Sequence, residues 1–293
     1  MFEKTFFVLA PSFHGATLLS KLINAHPELT ALGDTYPSNR FDQVCGCGER
    51  VSQCPFWNSV KAAVGARRYA RTRGMLPQYP GEKGGRVGRF LFSDFTSFWA
   101  TPRMLRMVSG HHLAGFRADY EAFLAAVYEH TPQPGRIFVD GLKFNTRVAA
   151  LVAAGFPVDG IVHLYRDPVD FVNSSIRNTG RGGWAGMVEH ALRYRLYHAR
   201  ARQVGYGLPG LTLSYEALAD DVDERLERLF AFLGVQPMTV AQLRPYFEQE
   251  WHFMGNASLL AFNGVIQRGH HNETKARRGV IRALAGSSQA TSR

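Results

Sequence analysis

The stretch FFVLAPSFHGATLLSKLINAHP, from Phe6 to Pro27, carries an apolar run into Pro11 and Ser12 and sets Gly15 just ahead of a helical pattern. A strand, loop and helix in this order can gather backbone N–H groups around a phosphate, with the helix dipole adding attraction. The residues in position to do so are Ser12, Phe13, His14, Gly15, Ala16, Thr17 and Leu18. The usual nucleotide-binding loop is G-x-x-x-x-G-K-[ST]. Here Ala10 stands where its first glycine would be, and no lysine follows Gly15. Taken alone, the pattern suits a phosphate cradle or a plain turn. His14 adds an imidazole, which titrates near neutral pH and serves equally as a proton acceptor or as a packing and hydrogen-bonding group.

A second cluster is Cys45, Cys47 and Cys54, the three cysteines of the chain. An odd number in one short stretch does not make a disulfide framework. Three readings stand: a buried, reduced loop, a bridge involving Cys54, or thiolate ligands to zinc with a fourth ligand from far along the chain. No metal is assigned to the reaction.

These residues need elements to position them. Short apolar runs alternate with helical patterns, which predicts an α/β fold with a doubly wound, mostly parallel five-stranded sheet. The strands are expected in TFFVLA, ELTALG, RIFVDG, DGIVHLYRDP and GLTLSYEAL. Helices are expected in ATLLSKLINAH, VAALVAAG, VDFVNSSIRN, a longer one at about Trp184 to Gln203, and DERLERLFAFLG, whose Leu226, Leu229, Phe230 and Leu233 share one face. One domain is expected over residues 1–293, with 58–135 as a cap or lid insertion and 268–293 as a basic tail with the composition of a flexible end. Phe90, Phe92, Phe95, Phe98 and Trp99 in the insertion could line an apolar pocket or form packed core.

Lys plus Arg number 34 against 24 Asp plus Glu, a formal charge of +10 that is dispersed along the chain. That balance favours an anionic small ligand over nucleic acid. No run reaches the about 18 apolar residues of a membrane helix, and no signal peptide is expected. The expectation is a cytoplasmic protein with a small-molecule partner, no nucleic acid and no membrane; a homodimer is compatible with the sequence.

The stretch from Phe13 to Pro27 resembles the 5′-phosphosulfate loop of sulfotransferases that use 3′-phosphoadenosine 5′-phosphosulfate (PAPS), commonly R-S-G-[TS]-[TS]-L-L-x-x-L-L-x-x-H-P. Gly15, Thr17, Leu18, Leu19, Leu22, Ile23, His26 and Pro27 fall at or near the pattern, while Phe13, His14 and Ala16 replace its cation, serine and one hydroxyl. It is similar to a bacterial branch that has an aromatic in place of the arginine. The same family binds the donor's 3′-phosphate with an arginine at a strand end and a serine eight positions later. Arg166 and Ser174 in LYRDPVDFVNSSIRN have that spacing, with Pro168 at the helix start.

The resemblance implies further roles. An Asp-x-x-Lys after the third strand, here Asp140 and Lys143, would supply the missing cation at the carboxyl end of the sheet. Tyr215 in LSYEAL would lie near the adenine, and Arg268 would come over the 3′-phosphate. Related enzymes place a glutamate where Asp34 stands, and some use it as base; Asp34 is the first candidate for that role and His14 the second. The implied activity is transfer of a sulfuryl group from PAPS, as donor co-substrate and without a required metal, to a hydroxyl or amine of a small aromatic or glycosidic acceptor. Two rivals are a nucleoside-triphosphate kinase, which would want the absent loop lysine, and a non-catalytic relative that binds nucleotide or anion without transfer.

Overall fold

The computed structural model describes residues 1–33, 44–65, 110–141, 145–247, 252, 262, 264–266 and 275–286. Its centre is a five-stranded sheet in the order β2-β3-β1-β4-β5. The strands are β1 (Lys4–Leu9), β2 (Leu29–Ala31), β3 (Ile137–Asp140), β4 (Gly160–Tyr165) and β5 (Gly210–Ser214). β2 to β5 fall within the runs that predicted them, and β1 begins one residue before its run, at Lys4. All neighbouring pairs are parallel, with Phe6 opposite both Val139 and Gly160, and His163 opposite Thr212.

Because helices cover both faces, β1 and β3 are apolar on both sides rather than alternating with polar residues. Side chains still alternate in direction along each strand. Phe7 and Leu9 enter one layer, whereas Phe6, Val8 and Ala10 enter the other. The second layer is closed by α1 (Ala16–Asn24), through Leu19, Leu22 and Ile23, and by a helix at Val222–Leu233. That helix buries Leu226, Leu229, Phe230 and Leu233 and stops at Gly234, whose φ of 79° closes it in the left-handed conformation. Each such side chain contributes roughly 1.5–3 kcal/mol by leaving water.

The first layer is built by α2 (Pro55–Val64), α3 (Gly110–His130) and α4 (Asn145–Ala153), with Trp57, Phe116, Tyr120, Phe123 and Leu151 at its heart. α2 and α3, at the described flanks of the expected 58–135 insertion, pack on each other and share one buried cluster with Phe7 and Phe138 of the sheet. The aromatic residues expected at 90–99 lie outside the described residues. After β4 come α5 (Pro168–Thr179) and α6 (Gly183–Gly205), and after β5 come α7 (Tyr215–Asp220), α8 (the Val222–Leu233 helix) and a short α9 (Val240–Leu243). A last helix, α10 (Lys275–Ala285), buries Ile281 and Ala285 against α5 and α6. It lies in the segment read from composition as a basic tail: its apolar face is narrow, and charge dominates the sequence around it.

The strand order fixes where a ligand fits. The connection from β1 leads to one side of the sheet, to β2, and the connection from β4 leads to the other, to β5. β1 and β4 are neighbours, so their carboxyl ends flank a crevice at the topological switch point.

Candidate functional site

The loop leaving β1 turns sharply. Phe13 has φ 70°, the one positive φ of a non-glycine residue among those described, and Gly15 follows with φ 84° as the N-cap of α1. A bulky residue in the left-handed region is strained and persists only where its surroundings hold it. The first helical bond runs from the Leu19 N–H to the Gly15 carbonyl, and no side chain caps this helix end. The N–H groups of Gly15, Ala16, Thr17 and Leu18 are thus those that an α-helix leaves without internal acceptors. Ser12, Phe13, Gly15 and Thr17 are half-buried, and Ala16 and Leu18 are buried.

The end of β4 meets this loop. Arg166 is 9% exposed and donates from Nη1 to the Phe13 carbonyl at 3.1 Å. Its guanidinium lies 4.8 Å from the centre of the Tyr215 ring, and the Tyr194 hydroxyl donates to its carbonyl at 2.7 Å. Tyr215 in turn covers Gly15: a Cβ added there would sit 2.5 Å from the tyrosine Cδ2. Phe13, Gly15, Arg166 and Tyr215, named from three distant stretches of sequence, therefore touch. Arg166 Nε is buried and finds no hydrogen-bond partner among the described residues. Burial pushes the Tyr215 phenol above its usual range.

Ser174, 8% exposed, lies two turns into α5, the helix that begins beside Arg166. That helix is capped by its own chain, unlike α1: the Asp167 carboxylate accepts from the N–H groups of Val169 and Asp170. The Asp167 N–H donates to Glu216, whose other oxygen accepts from the Ser214 hydroxyl. Arg282 of α10 reaches Asp167 at 3.4 Å, so a basic residue of the C-terminal helix stands over the start of α5. Asn173 carries a further buried donor, Nδ2, without a partner among the described residues.

His14 is fully buried between Phe171, Tyr194 and His198. Its Nδ1 is 3.4 Å from the Ser12 carbonyl and its Nε2 is 3.0 Å from His198 Nε2. His198 Nδ1 lies 2.8 Å from His163 Nε2. A carbonyl only accepts, so His14 carries its proton on Nδ1 and offers a bare Nε2; His198 then donates from Nε2 and accepts at Nδ1 from His163. All three rings are neutral in this scheme. Burial, reinforced by nearby cationic groups, pushes His14 and His198 well below the ordinary histidine range and His163 to about 4. Both ring nitrogens of His14, the second candidate base, are engaged inside the protein, at the Ser12 carbonyl and at His198, and the residue ties the loop to α6. Nothing in the sequence singled out His163 or His198; the only trace was the aromatic and histidine at positions 194 and 198, four apart on one helical face.

On the other side of β1, Asp140 closes β3 in full burial. The Tyr120 hydroxyl donates to its Oδ2 at 2.8 Å, and Arg147 of α4 pairs with the same oxygen at 3.3 Å. Arg147 also lies over the Tyr120 ring, 4.7 Å from its centre. Asp140 is therefore a brace between β3, α3 and α4. The next residue, Gly141, has no room for a side chain: a Cβ there would come within 2.6 Å of the Gly33 carbonyl oxygen. Gly33 and Gly141 immediately precede the stretches that contain Asp34 and Lys143. Those two residues and Arg268 lie outside the described residues.

The site thus has the parts of an anion crevice at a switch point. A model described as "Sulfotransferase family" matches residues 69–239, more than half of the 293. The chain belongs to the sulfotransferase family. The match takes in β3 to α8 and hence Arg166, Ser174 and Tyr215, whereas the loop after β1 lies before it. A sulfotransferase domain from the curacin biosynthetic pathway is 13% identical to this family member, with 96% of each chain covered and a TM-score of 0.50. One from the Synechococcus PCC 7002 olefin synthase is 15% identical, covering 97% of this chain and 94% of its own, with a TM-score of 0.46. At such identities the curacin likeness speaks for the fold alone. No curated protein matches the chain.

Proposed function

We propose that this sulfotransferase-family chain transfers a sulfuryl group from PAPS to a hydroxyl or amine of a small acceptor, aromatic or glycosidic in character. One observation carries the reading: an uncapped helix N-terminus and an arginine with a buried, unused N–H meet across the switch-point crevice. A polyanionic adenosine ligand fits those donors. PAPS supplies the sulfuryl group and departs as 3′-phosphoadenosine 5′-phosphate.

The roles assigned to the chain follow from position and chemistry. The N–H groups from Gly15 to Leu18 take the 5′-phosphosulfate, aided by the α1 dipole. Arg166 and Ser174 take the 3′-phosphate, and Tyr215 packs at the adenine. Lys143, just beyond the Asp140 brace, offsets charge at the bridging oxygen in place of the cation that Phe13 lacks. Asp34, just beyond Gly33, takes the acceptor's proton. Arg268 adds charge from the C-terminal segment.

Calorimetry with 3′-phosphoadenosine 5′-phosphate tests the donor site, and mass spectrometry for one added sulfuryl group on candidate acceptors tests the reaction. Binding of that nucleotide but not of ATP is expected. Absence of binding would end the reading, and binding without transfer to any acceptor would assign the chain to a non-catalytic relative, a reading motivated by Phe13, His14 and Ala16.

A further inference from the structure

The three cysteines converge on a histidine from the other end of the chain. Cys47 and Cys54 hold their sulfurs 3.7 Å apart, Cys54 Sγ is 3.5 Å from His252 Nδ1, and Cys45 Sγ is 3.7 Å from the same nitrogen. All four ligand atoms lie within 4.8 Å of one another. A tetrahedral zinc with Zn–S near 2.3 Å and Zn–N near 2.0–2.1 Å demands S···S separations of about 3.8 Å and S···N separations of about 3.6 Å. The three distances match those demands. No pair is joined as a disulfide, and a bond would require sulfurs at about 2.0 Å.

The local fold explains how short sequence delivers three sulfurs to one point. Val44 bridges Arg50 in antiparallel fashion, and the Cys45 N–H donates to the Glu49 carbonyl at 2.7 Å. Gly48, at φ 90°, turns the chain between them. Cys54 follows as the extended N-cap of α2, its N–H donating to the Arg50 carbonyl. His252 arrives from 198 positions downstream and stacks on Phe56 at 4.4 Å with the rings 3° from parallel, which fixes the orientation of Nδ1. Cys45 and Cys54 are fully buried and His252 is 7% exposed.

We propose that Cys45, Cys47, Cys54 and His252 bind one zinc ion. Three thiolates and an imidazole in a tetrahedron select zinc over the harder cations. Because the protein supplies all four ligands, the site is closed and structural: it pins the loop before α2 to the chain at residue 252. The proposal stands independently of the donor and acceptor.

The test uses the full chain purified without chelator. Elemental analysis is expected to give about one zinc per chain, falling roughly tenfold or more in Cys54→Ser and His252→Ala. Should those variants fail to fold, Cys47→Ser, at a half-buried position, provides the milder comparison. The wild-type chain is independently loaded with cobalt, where thiolate-to-cobalt absorption with tetrahedral ligand-field bands is expected. Thiols should resist a disulfide reagent until a chelator strips the metal. A folded wild-type chain that takes up neither zinc nor cobalt, or whose intact mass and peptide map reveal a cysteine bridge, would overturn the site.

Discussion

At the scale of single residues, Arg166 carries the sharpest expectation. It is held by Phe13 and Tyr215 yet keeps one buried N–H unmatched. Charge-assisted hydrogen bonds contribute about 1.5–3 kcal/mol, so Arg166→Ala should weaken 3′-phosphoadenosine 5′-phosphate binding by roughly tenfold to a hundredfold in calorimetry. An unchanged Kd would detach Arg166 from the ligand. Asp34→Asn should act differently, slowing turnover while leaving that Kd nearly intact. An enzyme with full activity after this change would remove Asp34 from proton transfer. Arg166 and Tyr215 were legible as residues because their motifs are local; the orphaned Nε was not, since it depends on everything packed around it.

At the scale of elements, the turn into α1 and the brace at β3 are the vulnerable joints. Gly15→Ala combines a left-handed φ, costing about 1–2 kcal/mol for a residue with a Cβ, with a clash against the Tyr215 ring. Thermal unfolding should register the loss, and donor binding should fall with it as the ring is displaced from Arg166. Retention of both stability and affinity would show that the loop is looser than this packing implies. Asp140→Asn leaves the Arg147 guanidinium buried beside a neutral group. Breaking one partner of a buried ion pair costs about 3–5 kcal/mol, so a large drop in the denaturant midpoint is expected. A change below about 1 kcal/mol would show that Arg147 finds compensation elsewhere.

For the whole molecule, the chain of His163, His198 and His14 couples β4, α6 and the β1 loop. Their folded pKa values lie below the ordinary 6.5 of the unfolded chain, so the unfolded state takes up protons first as pH falls. Stability should be insensitive to these groups above pH 6.5 and should decline as pH falls toward about 4, the value for His163. Each group adds a slope of up to about 1.4 kcal/mol per pH unit within its window. Urea midpoints at about pH 7.5 and about pH 5 check this, the lower pH giving the lower midpoint. Replacing His198 with Phe should flatten that difference; equal midpoints in the parent would refute a neutral buried chain.

The amino-acid sequence by itself determined the strands, the order of strand and helix and thus the α/β class, because apolar periodicity and chain stops are local properties. Through its resemblance to the family it also marked Gly15, Arg166 and Tyr215 as candidates, since the motifs that carry the resemblance are short. Only the tertiary structure decided that β1 and β4 lie side by side and that His14 turns inward to meet His198. It alone brought His252 to the cysteines. Contacts between residues far apart in sequence depend on how layers pack, and no local pattern records which distant side chain will complete a site.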